Sequence, residues 1–271
     1  MSFVKDWNQK VTTHHKQSES KIINNTNDDF WEDKVEGFVP PELPDYNDPT
    51  LSFLQTHLTP KSSVLDLGGG AGRLSIPLAQ KNHIITIVDS SLAMINAADS
   101  HVKYLNLNNV TTFHSQWENF PNNKYDHIFS THVLYGISDI SEFISKIHSS
   151  TINSAIIIMY DKSPQSHLAD LWNLFYSEQR INLPGMNELT DVIKELGIKY
   201  KFYNIEQNDL PVFDDFELML KSITSQMFVT PTNENLKHIS KILNDYMKNE
   251  NNQFIFPSKF IRKLQAIIIK K

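Results

Sequence analysis

The 271-residue sequence contains no cysteine. Disulfides, thiolate zinc sites and a cysteine nucleophile are therefore excluded, and a reducing, cytoplasmic setting is expected. No apolar run approaches the roughly 20 residues needed to span a bilayer. Ile156-Ile157-Ile158-Met159 and Ile267-Ile268-Ile269 are strand-sized, so no membrane association is expected. Residues 1–17 are polar and charged, unlike the apolar centre of a secretory signal. Cationic stripes are missing as well. The formal net charge is −6, and Lys259, Arg262, Lys263, Lys270 and Lys271 flank an apolar run, as a solvated rim does. A nucleic-acid partner is disfavoured on that ground. His14-His15 lacks companion ligands at metal-like spacing and reads as a solvated helix or loop face, so no metal is expected. Glycine is scarce, and half of the eight glycines crowd into positions 68, 69, 70 and 72.

That crowding is the most informative feature present. Val64-Leu65-Asp66-Leu67-Gly68-Gly69-Gly70-Ala71-Gly72-Arg73-Leu74-Ser75 reads as an apolar strand ending in an acid, a glycine turn and the start of a helix. Glycine has no Cβ to hold a ligand away and tolerates positive φ. The helix after such a turn aims free N–H groups at whatever occupies it. A second acid, Asp89, closes the strand Ile84-Ile85-Thr86-Ile87-Val88-Asp89. Two acids and a glycine turn at neighbouring strand ends describe a pocket for a nucleoside-bearing cofactor. The dinucleotide fingerprint is broken, because Arg73 stands where its last glycine belongs, and no Walker Gly-Lys-Ser/Thr follows.

Strands are expected at about 62–67, 83–89, 109–114, 125–131, 154–160 and 199–206, with a last one at 264–269. Helices are expected at about 72–81, 91–104, 139–149, 166–180 and 187–196, the last ending at Gly197. This alternation argues for a parallel sheet covered on both faces. Asp89-Ser90-Ser91 and Asp139 offer helix N-caps. Residues 1–45 read as a helical cap and linker, through Asp28-Asp29-Phe30-Trp31 and Pro40-Pro41-Glu42-Leu43-Pro44. The Asn-rich patches at 24–25, 122–123 and 249–252 read as loops. Residues 46–271 form the main domain, with helices at about 214–228 and 233–249 inside an insertion of about 210–255, over the edge where ligands bind in such sheets.

The pattern Asp-x-Gly-x-Gly-x-Gly at 66–72 resembles motif I of the class I S-adenosylmethionine-dependent methyltransferases. Val88-Asp89-Ser90-Ser91-Leu92-Ala93-Met94-Ile95 is similar to the family's second motif. Asn109 to Trp117 is similar to its third strand and adenine loop, and Tyr125 to Tyr135 to its fourth strand and active-site lip. The resemblance implies a Rossmann-like, seven-stranded, mostly parallel sheet whose last strand is antiparallel and lies between the fifth and sixth. It also implies binding of S-adenosylmethionine, with S-adenosylhomocysteine as product. Gly68, Gly69, Gly70 and Gly72 then carry backbone against the cofactor, and Asp66 orients its amino-acid end, directly or through water. Asp89 accepts both ribose hydroxyls, while Ser90 and Met94 lie near ribose and adenine. Gln116 bonds the adenine, Trp117 packs on it or belongs to the core, and Ser130 and Thr131 face the methionine portion. Gln116-Trp117 departs from the acid and small residue common at that loop.

Methyl transfer from a sulfonium is an in-line displacement that requires alignment and exclusion of water more than a universal catalytic side chain. His132, at the end of the fourth strand, is the candidate base, against the alternative of a satisfied half-buried histidine. Tyr135 and Tyr160 are candidates to line the same mouth as sulfonium contacts or aromatic walls. Trp7, Trp31 and Trp172 read as core or lid packing. The expected activity is methylation of a small-molecule acceptor. Its rivals are protein or RNA methylation, a non-catalytic S-adenosylmethionine-binding module, and an NAD(P)-dependent oxidoreductase.

Overall fold

The computed structural model describes residues 2–22, 29, 31–41 and 44–271. The expected loop at Asn24-Asn25, and the parts of the cap and linker at Asp28, Phe30, Glu42 and Leu43, lie outside the described residues. Ten strands are described: β1 (Ser63–Leu67), β2 (Ile84–Asp89), β3 (Val110–His114), β4 (Tyr125–Thr131), β5 (Thr151–Tyr160), β6 (Tyr200–Asp209), β7 (Val212–Phe213), β8 (Lys248–Glu250), β9 (Gln253–Ile255) and β10 (Arg262–Lys270). The helices are α1 (Phe3–Glu19), α2 (Pro49–His57), α3 (Ser75–Gln80), α4 (Leu92–Tyr104), α5 (Ile140–Ser150), α6 (Ala169–Tyr176), α7 (Met186–Glu195), α8 (Phe216–Gln226) and α9 (Asn233–Tyr246).

Seven strands form one sheet in the order β3-β2-β1-β4-β5-β10-β6. Pairing is parallel from β3 through β5, and β10 runs antiparallel to both β5 and β6, between which it lies. This is the Rossmann-like arrangement expected. The run Ile156-Ile157-Ile158-Met159 is unbroken by polar residues because β5 is central and covered on both faces. Its side chains divide by parity. Ile157 and Met159 join a core with Trp7, α5 and α7. Ile156 and Ile158 join a second core with α2, α3 and α4. Helix α5 is placed by Ile140, Phe143, Ile144 and Ile147, buried at the spacing of one helical face.

The boundaries differ from expectation where local geometry overrides pattern. Helix α3 begins at Ser75 rather than 72, because Gly70 (φ 54°) and Gly72 (φ 85°) keep the turn left-handed. Helix α6 stops at Ser177, which takes φ 53°. Asp139 holds the N-cap position of α5 without capping, since its carboxylate accepts from Ser141 instead. Ser91 does cap α4, accepting from Met94 N–H at 3.2 Å.

Between β6 and β10, the segment expected to be helical also carries a small antiparallel sheet, β7-β9-β8. Asn251 and Asn252, both at positive φ, turn its hairpin. Strand β8 thus occupies part of an expected loop. With α6, α8 and α9 the segment closes a third core around Trp172, Met219, Ile223, Leu243 and Phe256. None of its residues reaches the main cavity.

Two surface expectations are corrected. His14 is buried rather than solvated, because its ring bonds the Ile181 carbonyl at 2.7 Å and meets the Arg180 guanidinium at 2.8 Å. Arg262 is buried as well, bonded to Asp209 and the Pro164 carbonyl, so it is not part of a solvated rim.

Candidate active site

The carboxyl ends of β1, β2 and β4 open into a cavity of about 790 Å³, in the size range of small-ligand sites. Its floor is the glycine turn. Gly68 N–H donates to the Val88 carbonyl at 2.8 Å, which ties the turn to β2. A Cβ on Gly68 would lie 2.3 Å from Val133 Cγ2, and one on Gly69 would lie 2.6 Å from the Asp66 carboxyl. Both glycines are therefore demanded by packing. Gly70 differs: a Cβ there would meet Met94 Sδ at 3.7 Å and would otherwise fill cavity space.

Asp89 spans the turn and the next helix. One carboxylate oxygen accepts from Gly70 N–H at 2.9 Å and the other from Ser91 N–H at 2.8 Å. Each oxygen keeps a lone pair for a ligand, and burial raises the pKa of this acid. Asp66 is buried at the cavity floor and accepts from Ser75 Oγ at 2.6 Å. Burial pushes its pKa up to about 7.

Asp66, Gly68, Gly69, Gly70, Asp89, Ser90, Met94, Gln116, Trp117, Thr131 and His132 all line this one cavity. Three expected site residues do not. Gly72 is buried beneath the turn, against Ile76 and Ile87. Ser130 is 1% exposed and gives its hydroxyl to the Leu67 carbonyl at 2.9 Å, so it braces β1 against β4. Tyr135 lies behind His132 rather than at the mouth, where Tyr160 does appear. Trp117 is 4% exposed within a core and also lines the cavity. Lys146 holds its loop by donating to the Trp117 carbonyl at 2.6 Å.

Thr131 Oγ1 is a buried hydroxyl with no protein partner among the described residues. Next to it, His132 takes φ 61°, a left-handed conformation uncommon outside glycine. Its ring stacks on Tyr160 at 4.6 Å. Burial lowers the His132 pKa to about 4, so the imidazole is neutral near pH 7. Burial likewise raises the Tyr135 and Tyr160 phenols.

Several wall residues were not singled out for binding in the sequence. Val133, Ile137 and Phe143 gave only an apolar signal indistinguishable from core. Trp31 and Phe38 enter from the N-terminal segment, meeting edge to face at 5.4 Å. Asp29 anchors that segment, accepting from Ser91 Oγ at 2.8 Å and Ala93 N–H at 3.2 Å at the start of α4.

Residues 41–200 match the family model described as a methyltransferase domain. Histamine N-methyltransferase from Bos taurus is 28% identical over 165 residues, covering 52% of this chain and 56% of that protein. The chain thus spans about half the length of that curated relative. Among solved structures, the YcgJ protein of Bacillus subtilis superposes with a TM-score of 0.56 at 14% identity, over 84% of this chain and 100% of that one. Magnesium protoporphyrin IX methyltransferase from Synechocystis PCC 6803, solved with S-adenosylhomocysteine, gives 0.52 at 14% identity, over 99% and 100%. At such identities the structural likeness speaks for the fold. With the family match over most of the sheet, the glycine turn and the two strand-end acids, the chain belongs to the class I S-adenosylmethionine-dependent methyltransferase family.

Proposed function

We propose that this chain transfers a methyl group from S-adenosylmethionine to a small-molecule acceptor. The observation that carries the reading is one cavity holding both a nucleoside-type cradle and, beyond Thr131, an aromatic wall of His132 and Tyr160. The donor set suits the cofactor. Gly70 leaves bare backbone facing the cavity, Asp89 keeps a lone pair on each oxygen for vicinal hydroxyls, and Thr131 has an unsatisfied buried hydroxyl. In this reading Asp66 faces the cofactor's ammonium, Met94 and Trp117 flank its adenine, and Gln116 bonds the adenine edge.

When bound, the cofactor supplies a sulfonium methyl: the acceptor's lone pair bonds the carbon as the carbon–sulfur bond breaks and its electron pair passes to sulfur. The protein's task is to align the two partners and keep water out. Trp31 and Phe38 add an aromatic wall that narrows the cavity, which favours a small acceptor over a protein or RNA.

The test is incubation with methyl-labelled S-adenosylmethionine and a panel of small amines, phenols and carboxylates, run beside protein and RNA substrates. Label in a small molecule supports the reading. Label confined to protein or RNA, or tight S-adenosylhomocysteine binding without turnover on any acceptor, contradicts it.

A further inference from the structure

Tyr135 and His132 form a pair whose hydrogen-bond roles are fixed by a third group. The Tyr160 backbone N–H donates to the Tyr135 phenol oxygen at 2.7 Å. The same oxygen lies 3.0 Å from His132 Nδ1. Tyr135 is 5% exposed, and its hydroxyl has no further partner among the described residues. A phenol has one proton to donate. Were Nδ1 protonated, the phenol oxygen would accept twice, and its own proton would be buried without an acceptor, an unfavourable state. In the other arrangement the phenol donates to Nδ1 and accepts from the Tyr160 N–H, so the phenol and Nδ1 are both satisfied. The imidazole proton then sits on Nε2, the nitrogen on the ring's opposite edge, which has no protein partner among the described residues.

The backbone holds the ring for this purpose. His132 N–H donates to the Ile158 carbonyl at 2.9 Å, φ stays at 61°, and the ring stacks on Tyr160 at the cavity wall. A left-handed non-glycine residue is a cost that the surrounding structure must offset, and such residues cluster at functional sites.

We propose that Tyr135 is a positioning residue that locks His132 in the Nε2–H form, so that His132 faces the cavity as a hydrogen-bond donor and not as a base. Its meaning for substrate choice rests on the methyl-transfer reading. The acceptor beside His132 is of a class that offers a lone pair to an N–H and is nucleophilic without losing a proton to this wall. An already ionised oxygen qualifies, because one lone pair attacks the methyl while another accepts the N–H; a neutral amine, whose single lone pair must form the new bond, and an un-ionised alcohol do not. Depression of the imidazole pKa by burial keeps the donor neutral, so it stabilises a lone pair without introducing a cation next to a sulfonium.

Long-range proton–nitrogen NMR of the full chain, labelled with ¹⁵N-histidine, reads the tautomer at pH 7 with and without S-adenosylhomocysteine. Of the eleven histidines, His132 is assigned by loss of its signals in His132→Gln and, independently, by their shift in Tyr160→Leu. A protonated Nε2 with a bare Nδ1 is expected in the wild type. A folded Tyr135→Phe variant is expected to show both tautomers. Protonated Nδ1 in the wild type, or an unchanged tautomer in folded Tyr135→Phe, overturns the proposal. If Tyr135→Phe does not fold, the wild-type spectrum alone decides. Failure of the methyl-transfer reading leaves a different signature: Nε2–H present, with no response to S-adenosylhomocysteine.

Discussion

Asp66 and Asp89 lie at the carboxyl ends of the paired strands β1 and β2, beside the same turn, yet their environments ask different things of them. Asp89 is fixed by two backbone N–H groups and keeps acceptor capacity on both oxygens. Replacing it with alanine is expected to weaken S-adenosylhomocysteine binding by about 1–3 kcal/mol, the scale of lost charge-assisted hydrogen bonds. Calorimetry measures this, and unchanged affinity would place the ribose elsewhere. Asp66, with a pKa near 7, is poised to titrate. An ammonium brought against it favours the carboxylate and lowers that pKa. Binding near pH 7 should therefore release about half a proton, seen as a dependence of the binding heat on buffer ionisation enthalpy. Equal heats in phosphate and Tris would remove Asp66 from contact with the ammonium. Both acids were legible in the sequence, because each closes an apolar strand run, Asp66 before a glycine turn and Asp89 before the start of a helix. Ser130 and Tyr135 were legible only as neighbours of the site. Whether a hydroxyl on a strand or lip faces ligand or protein depends on partners distant in sequence, here Leu67 and Tyr160.

Among the elements, the start of α4 concentrates the most function in the fewest residues. Ser91 caps the helix through its hydroxyl oxygen while donating that hydroxyl's proton to Asp29. One side chain thus joins the helix to the aromatic N-terminal segment, while the Ser91 backbone N–H bonds Asp89. Ser91→Ala is expected to cost about 1 kcal/mol in urea unfolding and to loosen the Trp31–Phe38 wall. Loosening should appear as faster proteolysis or amide exchange around residues 31–38. A variant with unchanged midpoint and unchanged exchange would show that the cap does not hold the segment. The strands and the helices on the sheet were readable because their periodicity is dictated by two buried faces. The small sheet β7-β9-β8 was not, since its strands have two or three residues and show little alternation. Asp29 reaching α4 was equally hidden, because nothing local in Asp28-Asp29-Phe30-Trp31 specifies a partner some sixty residues on.

For the whole molecule, burial of neutral imidazoles sets the response to acid. His14, His132 and His167 each fall from 6.5 to about 4 on folding, with burial the largest cause. The unfolded chain binds more protons at these sites between pH 4 and 6.5, so stability rises with pH across that window and is lost on acidification. Asp66 works the other way. Its folded pKa lies above 3.8, so its contribution is present below pH 4 and declines as pH rises through about 7. His83, His127 and His148 are lowered by burial as well and Asp89 is raised, so the imidazoles outnumber the two acids and the melting temperature is expected to fall from pH 6.5 to pH 5. Asp66→Asn should gain relative to the wild type as pH rises from 6 to 8. Scanning calorimetry at those pH values checks both trends, and a melting temperature that is flat or higher at pH 5 contradicts the first. In the proposed reading residues 64–89 seat an adenosyl group, and titration calorimetry with S-adenosylhomocysteine tests that directly. Saturable, one-to-one heat is the expected result. Absence of any binding heat up to millimolar ligand, with the protein folded, would contradict the assignment at its root.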